Sequence, residues 1–187
     1  MFQLKIIIAS TRPGRKGIAV ANWIETIARN HPSFEVTMLD LLEVNLPFFD
    51  EPNHPRIQQY VHDHTKRWSE TIASAEALIF VTPEYNYGYT APLKNALDYL
   101  YLEWNYKPVA FVSYGGIAAG TRCVQMLKQV VTAQKMVPVT ESVNIPFFTH
   151  HIDQQGNFNG NESLDRSAAD MLNELAKWSG VLKPMRG

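Results

Sequence analysis

Short apolar runs alternate with amphipathic stretches along this chain, and the alternation predicts its secondary structure. Residues 4–10 (LKIIIAS) form a compact run rich in β-branched side chains. Such a run is typical of a strand that is buried on both faces of a sheet. Residues 17–30 then place apolar side chains at helical spacing, so we expect an amphipathic helix there. The same pair of patterns recurs to the end of the chain.

Four further strands and four further helices are predicted from these patterns. The strands are residues 34–42, 76–82, 107–116 and 136–145. The helices are residues 55–74, 91–102, 118–135 and a last one that Ser163 caps and that runs to Trp178. Residues 46–55 hold three prolines, and this stretch is predicted to be a loop. Residues 146–161 are also predicted to be a loop.

The order βαβαβαβαβα predicts an α/β fold in which helices cover both faces of a parallel sheet. Five strands favour a flavodoxin-like three-layer sandwich with strand order 2-1-3-4-5 over the six-stranded dinucleotide fold. The chain has 187 residues, of which 45% are hydrophobic, and this fits one domain spanning residues 1–187. Ligands of such folds bind beyond the carboxyl ends of the strands. We therefore expect function in the loops after strands one, three and four.

Composition narrows the classes of partner. The net charge of −1 gives no field that would favour nucleic acid or an anionic membrane. Cys123 is the only cysteine, which excludes an intramolecular disulfide and agrees with a cytoplasmic location. The apolar start is too short for a secretory signal, and no stretch approaches the length of a membrane span. A small molecule is the expected partner.

The first loop, residues 10–17, suits a phosphate. Its backbone N–H groups open a helix, where the helix dipole favours an anion. Ser10 adds a hydroxyl, while Arg12, Arg15 and Lys16 add positive charge. The spacing fits neither a P-loop nor a GxGxxG fingerprint, which disfavours an NTPase and a six-stranded dehydrogenase. A solvated basic turn is the alternative.

The loop after the third strand is stiff and aromatic. Pro83 fixes its backbone, and Asn86 tolerates the left-handed region. Such a loop can hold backbone groups against the edge of a flat heterocycle, with Tyr85, Tyr87 and Tyr89 as pocket walls. Packing against neighbours or another subunit is the alternative for the tyrosines. The loop after the fourth strand offers two glycines, which permit the close approach of a planar ligand.

Together the three loops resemble those of the NADPH-dependent FMN reductases, a flavodoxin-like family that includes azo-, quinone- and chromate-reducing enzymes. Residues 83–86 (PEYN) and 93–98 (LKNALD) match the two blocks of the family pattern. ASTRPGRKG and SYGG resemble its first and third flavin loops, and the likeness extends to about Val143. The chain departs from the pattern at Ala9, Gly88 and Thr90, where many members have glycine, serine and proline.

The resemblance implies an FMN-dependent NAD(P)H oxidoreductase. Hydride would pass from NADPH or NADH to FMN and on to a quinone, an azo compound, a metal ion or free flavin. The implied FMN contacts are Ser10, Arg12, Lys16, Gly17 and Ile18 at the phosphate, Pro83, Glu84, Tyr85 and Asn86 at the isoalloxazine edge, and Ser113, Gly115 and Gly116 on its other side. Arg15 or Lys16 are candidates for the 2′-phosphate of NADPH, with FMN or solvent as alternatives. No catalytic side chain is expected, because the flavin carries the chemistry.

The resemblance also implies a homodimer or homotetramer, and it makes aromatic residues after the third loop candidate interface residues. These are Tyr99, Tyr101, Trp104 and Tyr106. A non-enzymatic flavodoxin-like electron carrier and a flavin-binding redox sensor are the alternative functions. Carriers often use an acidic surface, and the chain has no acidic run.

No metal site is expected among the histidines. His150 and His151 are adjacent and would point apart on an extended segment. His62 and His64 lie two residues apart on a predicted helix, where they would not share a face. The spacing of the cysteine and histidines matches no structural zinc site.

Overall fold

The predicted alternation of strands and helices is present in a computed structural model of the protein, which describes residues 1–186. These residues form six strands: β1 (Phe2–Ile8), β2 (Phe34–Asp40), β3 (Ala77–Pro83), β4 (Pro108–Tyr114), β5 (Val137–Pro138) and β6 (Val143–Ile145). They also form six α-helices: α1 (Gly17–Arg29), α2 (Leu41–Val44), α3 (Asp63–Ala73), α4 (Ala91–Asp98), α5 (Thr121–Ala133) and α6 (Glu162–Leu182).

The strands form one parallel sheet in the order β2-β1-β3-β4-β5, and β6 pairs with β4 as well. The predicted order 2-1-3-4-5 is therefore confirmed. Successive side chains of β1 face opposite sides of the sheet, as the pleat requires. Ile6 and Ile8 pack with α1 and α6, whereas Ile7 packs with α3, α4 and α5. The sheet is thus buried on both faces, which explains its near-continuous apolar strands.

The predicted fifth strand, residues 136–145, is two strands instead of one. β5 pairs with the start of β4, and β6 pairs with its end. Pro138 closes β5, because proline has no N–H to donate to a ladder. The chain leaves the sheet after this proline and rejoins it at Val143. This detour brings the end of β6 to the carboxyl edge of β4.

Several predicted helix ends were wrong by a turn or more. The helix predicted from Pro55 opens with a separate 3-10 turn, Pro55–Ile57, and α3 begins only at Asp63. Gln58 has a left-handed backbone with φ of 51°, which ends the first turn. Asn161, not Ser163, caps α6, since its side chain accepts the N–H of Leu164 at 2.9 Å. α6 also continues beyond the predicted end at Trp178.

Two expectations about aromatic side chains were wrong. His62 precedes α3 with an extended backbone, so its ring stacks on that of His64 with centroids 5.1 Å apart. Tyr99 and Trp104 are fully buried in the core of the chain, so they are not available to an interface with a second subunit. Within residues 1–186, no helix combines the length and the apolarity that a membrane crossing needs.

Candidate functional site

The loops after β1, β3 and β4 meet at the carboxyl edge of the sheet, around a cleft of about 320 Å³. The predicted site residues that line it are Ser10, Arg12, Arg15, Lys16, Pro83, Glu84, Tyr85, Gly115 and Gly116. A larger hollow of about 530 Å³ lies away from these loops, beside Arg56 and Tyr101. We assign the site to the smaller cleft, because it lies where the strand order reverses and ligands of this fold bind.

The start of α1 forms one end of the cleft, and it lacks an internal cap. Lys16 is the N-cap residue, and no side chain bonds to the helix N-terminus, so backbone N–H groups of the first turn remain available. Ser10 is 1% exposed, and its hydroxyl has no hydrogen-bond partner within the described chain. Orphaned donors at a helix start are what a phosphate satisfies. These residues therefore fit the phosphate of FMN.

Gly17 permits a close approach of two hydroxyls to this helix start. A Cβ on Gly17 would lie 2.2 Å from Tyr114 Oη and 2.4 Å from Ser10 Oγ. Both distances are far below normal contact, so only glycine fits between these groups. The two hydroxyls are therefore held together at the position where α1 begins.

The side chain of Arg15 is bonded within the protein and fixes the shape of the first loop. Its guanidinium forms a two-pronged ion pair with Asp40 at the end of β2 and donates to the carbonyl of Ser10 at 2.7 Å. Burial favours the neutral acid, but hydrogen bonds from Arg15 and from the N–H of Leu42 lower the pKa of Asp40 below its usual value. Arg12 and Lys16 form no ion pair with another residue of the described chain. These two cations are thus the ones available to an anionic ligand.

The third loop contains a tight hairpin. Tyr85 and Gly88 exchange two backbone hydrogen bonds of 2.9 Å. Between them, Asn86 and Tyr87 have φ of 50° and 69°, which is the geometry of a type I′ turn. Pro83 and Tyr85 face the cleft, whereas Asn86 does not line it. The stiff loop expected from the sequence is present, and the two residues at its tip are not part of the cleft lining.

Glu84 joins this loop to α5. Its carboxylate pairs with Arg122 Nε at 2.7 Å and accepts the backbone N–H of Arg122 at 3.2 Å. The guanidinium of Arg122 also lies over the ring of Tyr87, 4.1 Å from its centroid. One arginine therefore holds both the carboxylate beside the cleft and the exposed tyrosine of the hairpin.

The fourth loop contributes different atoms from those expected. Ser113 is fully buried, and its hydroxyl bonds to the carbonyl of Ala119 and to Asn144 Oδ1, so it lies outside the cleft lining. Tyr114 lines the cleft instead. Burial raises the pKa of Tyr114 to about 12, so its hydroxyl keeps its proton and can donate at neutral pH. Sequence reasoning missed Tyr114 because it selected the small residues of this loop.

A fourth wall was also missed. Phe147, Phe148 and Thr149 follow β6 and line the cleft. Phe148 packs on Tyr114 with ring centroids 4.8 Å apart, and Phe147 is 49% exposed with φ of 44°. The signal was the pair of phenylalanines directly after an apolar run, at the carboxyl end of a strand. Ile18, a predicted phosphate contact, does not line the cleft with its side chain.

Comparisons with known proteins identify the family of the chain. A profile of the NADPH-dependent FMN reductase family matches residues 3–150. An NAD(P)H-dependent FMN reductase of Schizosaccharomyces pombe is 40% identical over 148 residues, which are 77% of this chain and 74% of the relative. An NAD(P)H-dependent FMN reductase of Nectria sp. is 37% identical over 153 residues, 79% of this chain and 76% of the relative.

The fold is shared with solved flavoenzymes. The structure of FerB, an NAD(P)H:(acceptor) oxidoreductase from Paracoccus denitrificans, superimposes with a TM-score of 0.75 at 17% identity, over 96% of this chain and 98% of that one. The likeness confirms a flavodoxin-like architecture, and the sequence matches confirm the resemblance seen in the loop motifs. The chain belongs to the NADPH-dependent FMN reductase family.

Proposed function

We propose that this protein is a flavoprotein that uses FMN to oxidise NAD(P)H and reduce a small-molecule acceptor. The observation that carries the proposal is the uncapped start of α1. There the buried hydroxyl of Ser10 has no hydrogen-bond partner among residues 1–186, and Arg12 and Lys16 form no ion pair with these residues, in a chain of this family. A phosphate would satisfy the hydroxyl, the helix N–H groups and the cations together.

The residues around α1 are proposed to hold the FMN phosphate. Ser10 and Tyr114 supply hydroxyl donors, Arg12 and Lys16 supply charge, and Gly17 and Ile18 supply backbone N–H groups. Arg15 acts differently, because its ion pair with Asp40 fixes the backbone of the first loop. Of the two candidates for the 2′-phosphate of NADPH, Lys16 is the one we retain, because the guanidinium of Arg15 is bonded to Asp40.

The rest of the cleft is proposed to hold the flavin ring. We place residues 83–86 along the edge of the ring, where Pro83, Glu84 and Tyr85 line the cleft and Asn86 shapes the turn that follows them. Gly115, Gly116 and Phe147 line another part of the cleft, and the buried hydroxyl of Ser113 supports the loop that carries the glycines. FMN held by these residues would supply the redox chemistry, namely acceptance of a hydride from the nicotinamide and return of two electrons to the acceptor. The protein needs no acid or base for that transfer, so its task is to bind the flavin, orient it and leave one face open.

The acceptor, the location in the cell and the assembly of the protein are also proposed. The acceptor is proposed to be a quinone, an azo compound, a metal ion or free flavin. A cytoplasmic location is proposed because the chain has a single cysteine, Cys123, and no intramolecular disulfide. Residues 1–187 are proposed to act as one flavin-binding domain in a homodimer or homotetramer, and exposed apolar side chains such as Phe48 and Ile117, at 88% and 81% exposure, support such an assembly.

The proposal is tested by turnover. Flavin-free protein is given NADPH and a quinone, and NADPH oxidation is followed with and without added FMN. We expect oxidation that requires both the protein and FMN, and NADH serves as the matched donor. A protein that binds FMN but oxidises neither nucleotide would be a carrier or a sensor, and this result would overturn the proposal.

A further inference from the structure

Glu84 is an acidic residue of the cleft lining whose side chain is mostly buried. It lines the cleft beside Pro83 and Tyr85, and its side chain is only 9% exposed. A carboxylate that has lost most of its water needs a compensating charge. Arg122 provides that charge through the ion pair of 2.7 Å and a hydrogen bond from its own backbone N–H at 3.2 Å.

Arg122 is held in place from its other side. Its guanidinium lies over the ring of Tyr87, and Tyr87 adopts φ of 69°, a left-handed conformation that is costly for a bulky residue. Type I′ turns usually place glycine at this position. Here a tyrosine stands at this position instead, and its ring covers the guanidinium of Arg122 in an attractive cation–π contact. The strained turn therefore maintains the charge balance of Glu84.

This balance matters for any ligand whose charge changes in the cleft. A flavin reduced by hydride to its anionic form carries one more negative charge on its ring than the oxidised flavin. An unpaired carboxylate in the cleft wall would repel that charge, and an unpaired guanidinium would attract it. Because Glu84 and Arg122 are paired, their opposite charges nearly cancel at the ligand.

We infer that Arg122, acting through Glu84, is a positioning residue that sets the reduction potential of the bound flavin. The inference rests on the proposed function, since it requires FMN in this cleft. Each tenfold change in the ratio of affinities for reduced and oxidised FMN moves a two-electron midpoint by about 30 mV. Charge changes at this pair are therefore measurable as shifts of the midpoint, with opposite signs for the two partners.

The test compares the midpoint potential of bound FMN in the wild type with that in Arg122→Met, Glu84→Gln and the double variant. Reduction is driven by dithionite against reference dyes, so the readout does not depend on turnover. We expect Arg122→Met to lower the midpoint by about 30 mV, from a roughly tenfold weaker hold on reduced flavin. Glu84→Gln should raise the midpoint, and the double variant should return close to the wild-type value.

Two controls separate charge from structure. Arg122→Lys keeps the charge and should keep the midpoint. Arg29→Met removes an equal charge from an exposed pair with Glu25 at the far end of α1, about 18 Å along the helix from Gly17, and should leave the midpoint unchanged.

Shifts of the same sign in Arg122→Met and Glu84→Gln, or no shift in either, would overturn the inference. If Arg122→Met does not fold, Glu84→Gln decides alone, because an unchanged or lowered midpoint contradicts the expected rise. Wild-type protein that binds no FMN would instead overturn the proposed function, so the two failures are distinguishable.

Discussion

Replacing Gly17 by alanine should weaken FMN binding while leaving riboflavin binding nearly unchanged. The new Cβ would meet Tyr114 Oη at 2.2 Å and Ser10 Oγ at 2.4 Å, so these hydroxyls or the start of α1 must move. Tyr114 is 3% exposed and packs on Phe148, which leaves its ring little room to turn away. The perturbation therefore falls on the groups proposed to hold the phosphate, which riboflavin lacks.

The expected loss of FMN affinity follows from the hydrogen bonds to the phosphate that the substitution would break. A hydrogen bond to a charged group contributes roughly 1.5–3 kcal/mol, so losing one should raise the Kd for FMN roughly 10- to 150-fold. The assay is quenching of flavin fluorescence, with FMN and riboflavin titrated into the flavin-free wild type and variant.

The matched control is Gly180→Ala on α6. Its Cβ would make an ordinary contact of 3.8 Å with Phe2. This change should raise the free energy of unfolding by about 0.5–1 kcal/mol, because alanine is the better helix former, and should leave the Kd for FMN as it is. Equal losses of FMN and riboflavin affinity in Gly17→Ala, or no loss of either, would refute the phosphate assignment.

Three further outcomes are expected. Arg12→Ala should cost about 1.5–3 kcal/mol of FMN affinity, measured by calorimetry, and an unchanged affinity would count against its role. Burial lowers the pKa of Lys107 to about 7, whereas a lysine of the unfolded chain has a pKa of about 10.4. Between these two pH values the unfolded chain binds more protons than the folded one, so the free energy of unfolding should rise with pH. Urea unfolding should show this rise from about pH 7.5 to about pH 9.5 in the wild type and a smaller rise in Lys107→Met. Equal rises in the two proteins would contradict this explanation. Burial raises the pKa of Cys123 to about 12, so iodoacetamide should label it only after unfolding, and rapid labelling of the native protein would be the contrary result.

The sequence predicted best what depends on local pattern. β1, β3 and β4 are mostly apolar because both faces of the sheet are buried. Each is followed by a loop whose glycine, proline or asparagine residues can be seen in the sequence. The order of the strands followed from the alternation of elements and the number of strands. The break between β5 and β6 was not predicted, because it depends on which part of β4 each short strand pairs with, and pairing is a tertiary property.

Contacts between distant residues explain the rest of the differences at the site. Asp40 pairs with the guanidinium of Arg15, although 25 residues separate the two in the sequence. The parallel register brings them together, because it places the end of β2 beside the end of β1. Arg122 reaches Glu84 across 38 residues. Neither pairing leaves a periodic trace in the sequence. Tyr114 shares the face of β4 that carries Ala110 and Val112, so the alternation of the strand, followed two residues beyond Val112, would have placed it on the face that α1 covers.

An anaerobic titration decides whether this cleft holds FMN for reduction by NAD(P)H. FMN-loaded protein is titrated with NADPH while the long-wavelength absorbance of the flavin is recorded. We expect this band to bleach in proportion to added NADPH, to an endpoint of one nucleotide per flavin, and to recover when a quinone is added. Bound flavin that stays oxidised under excess NADPH and excess NADH would rule out this function.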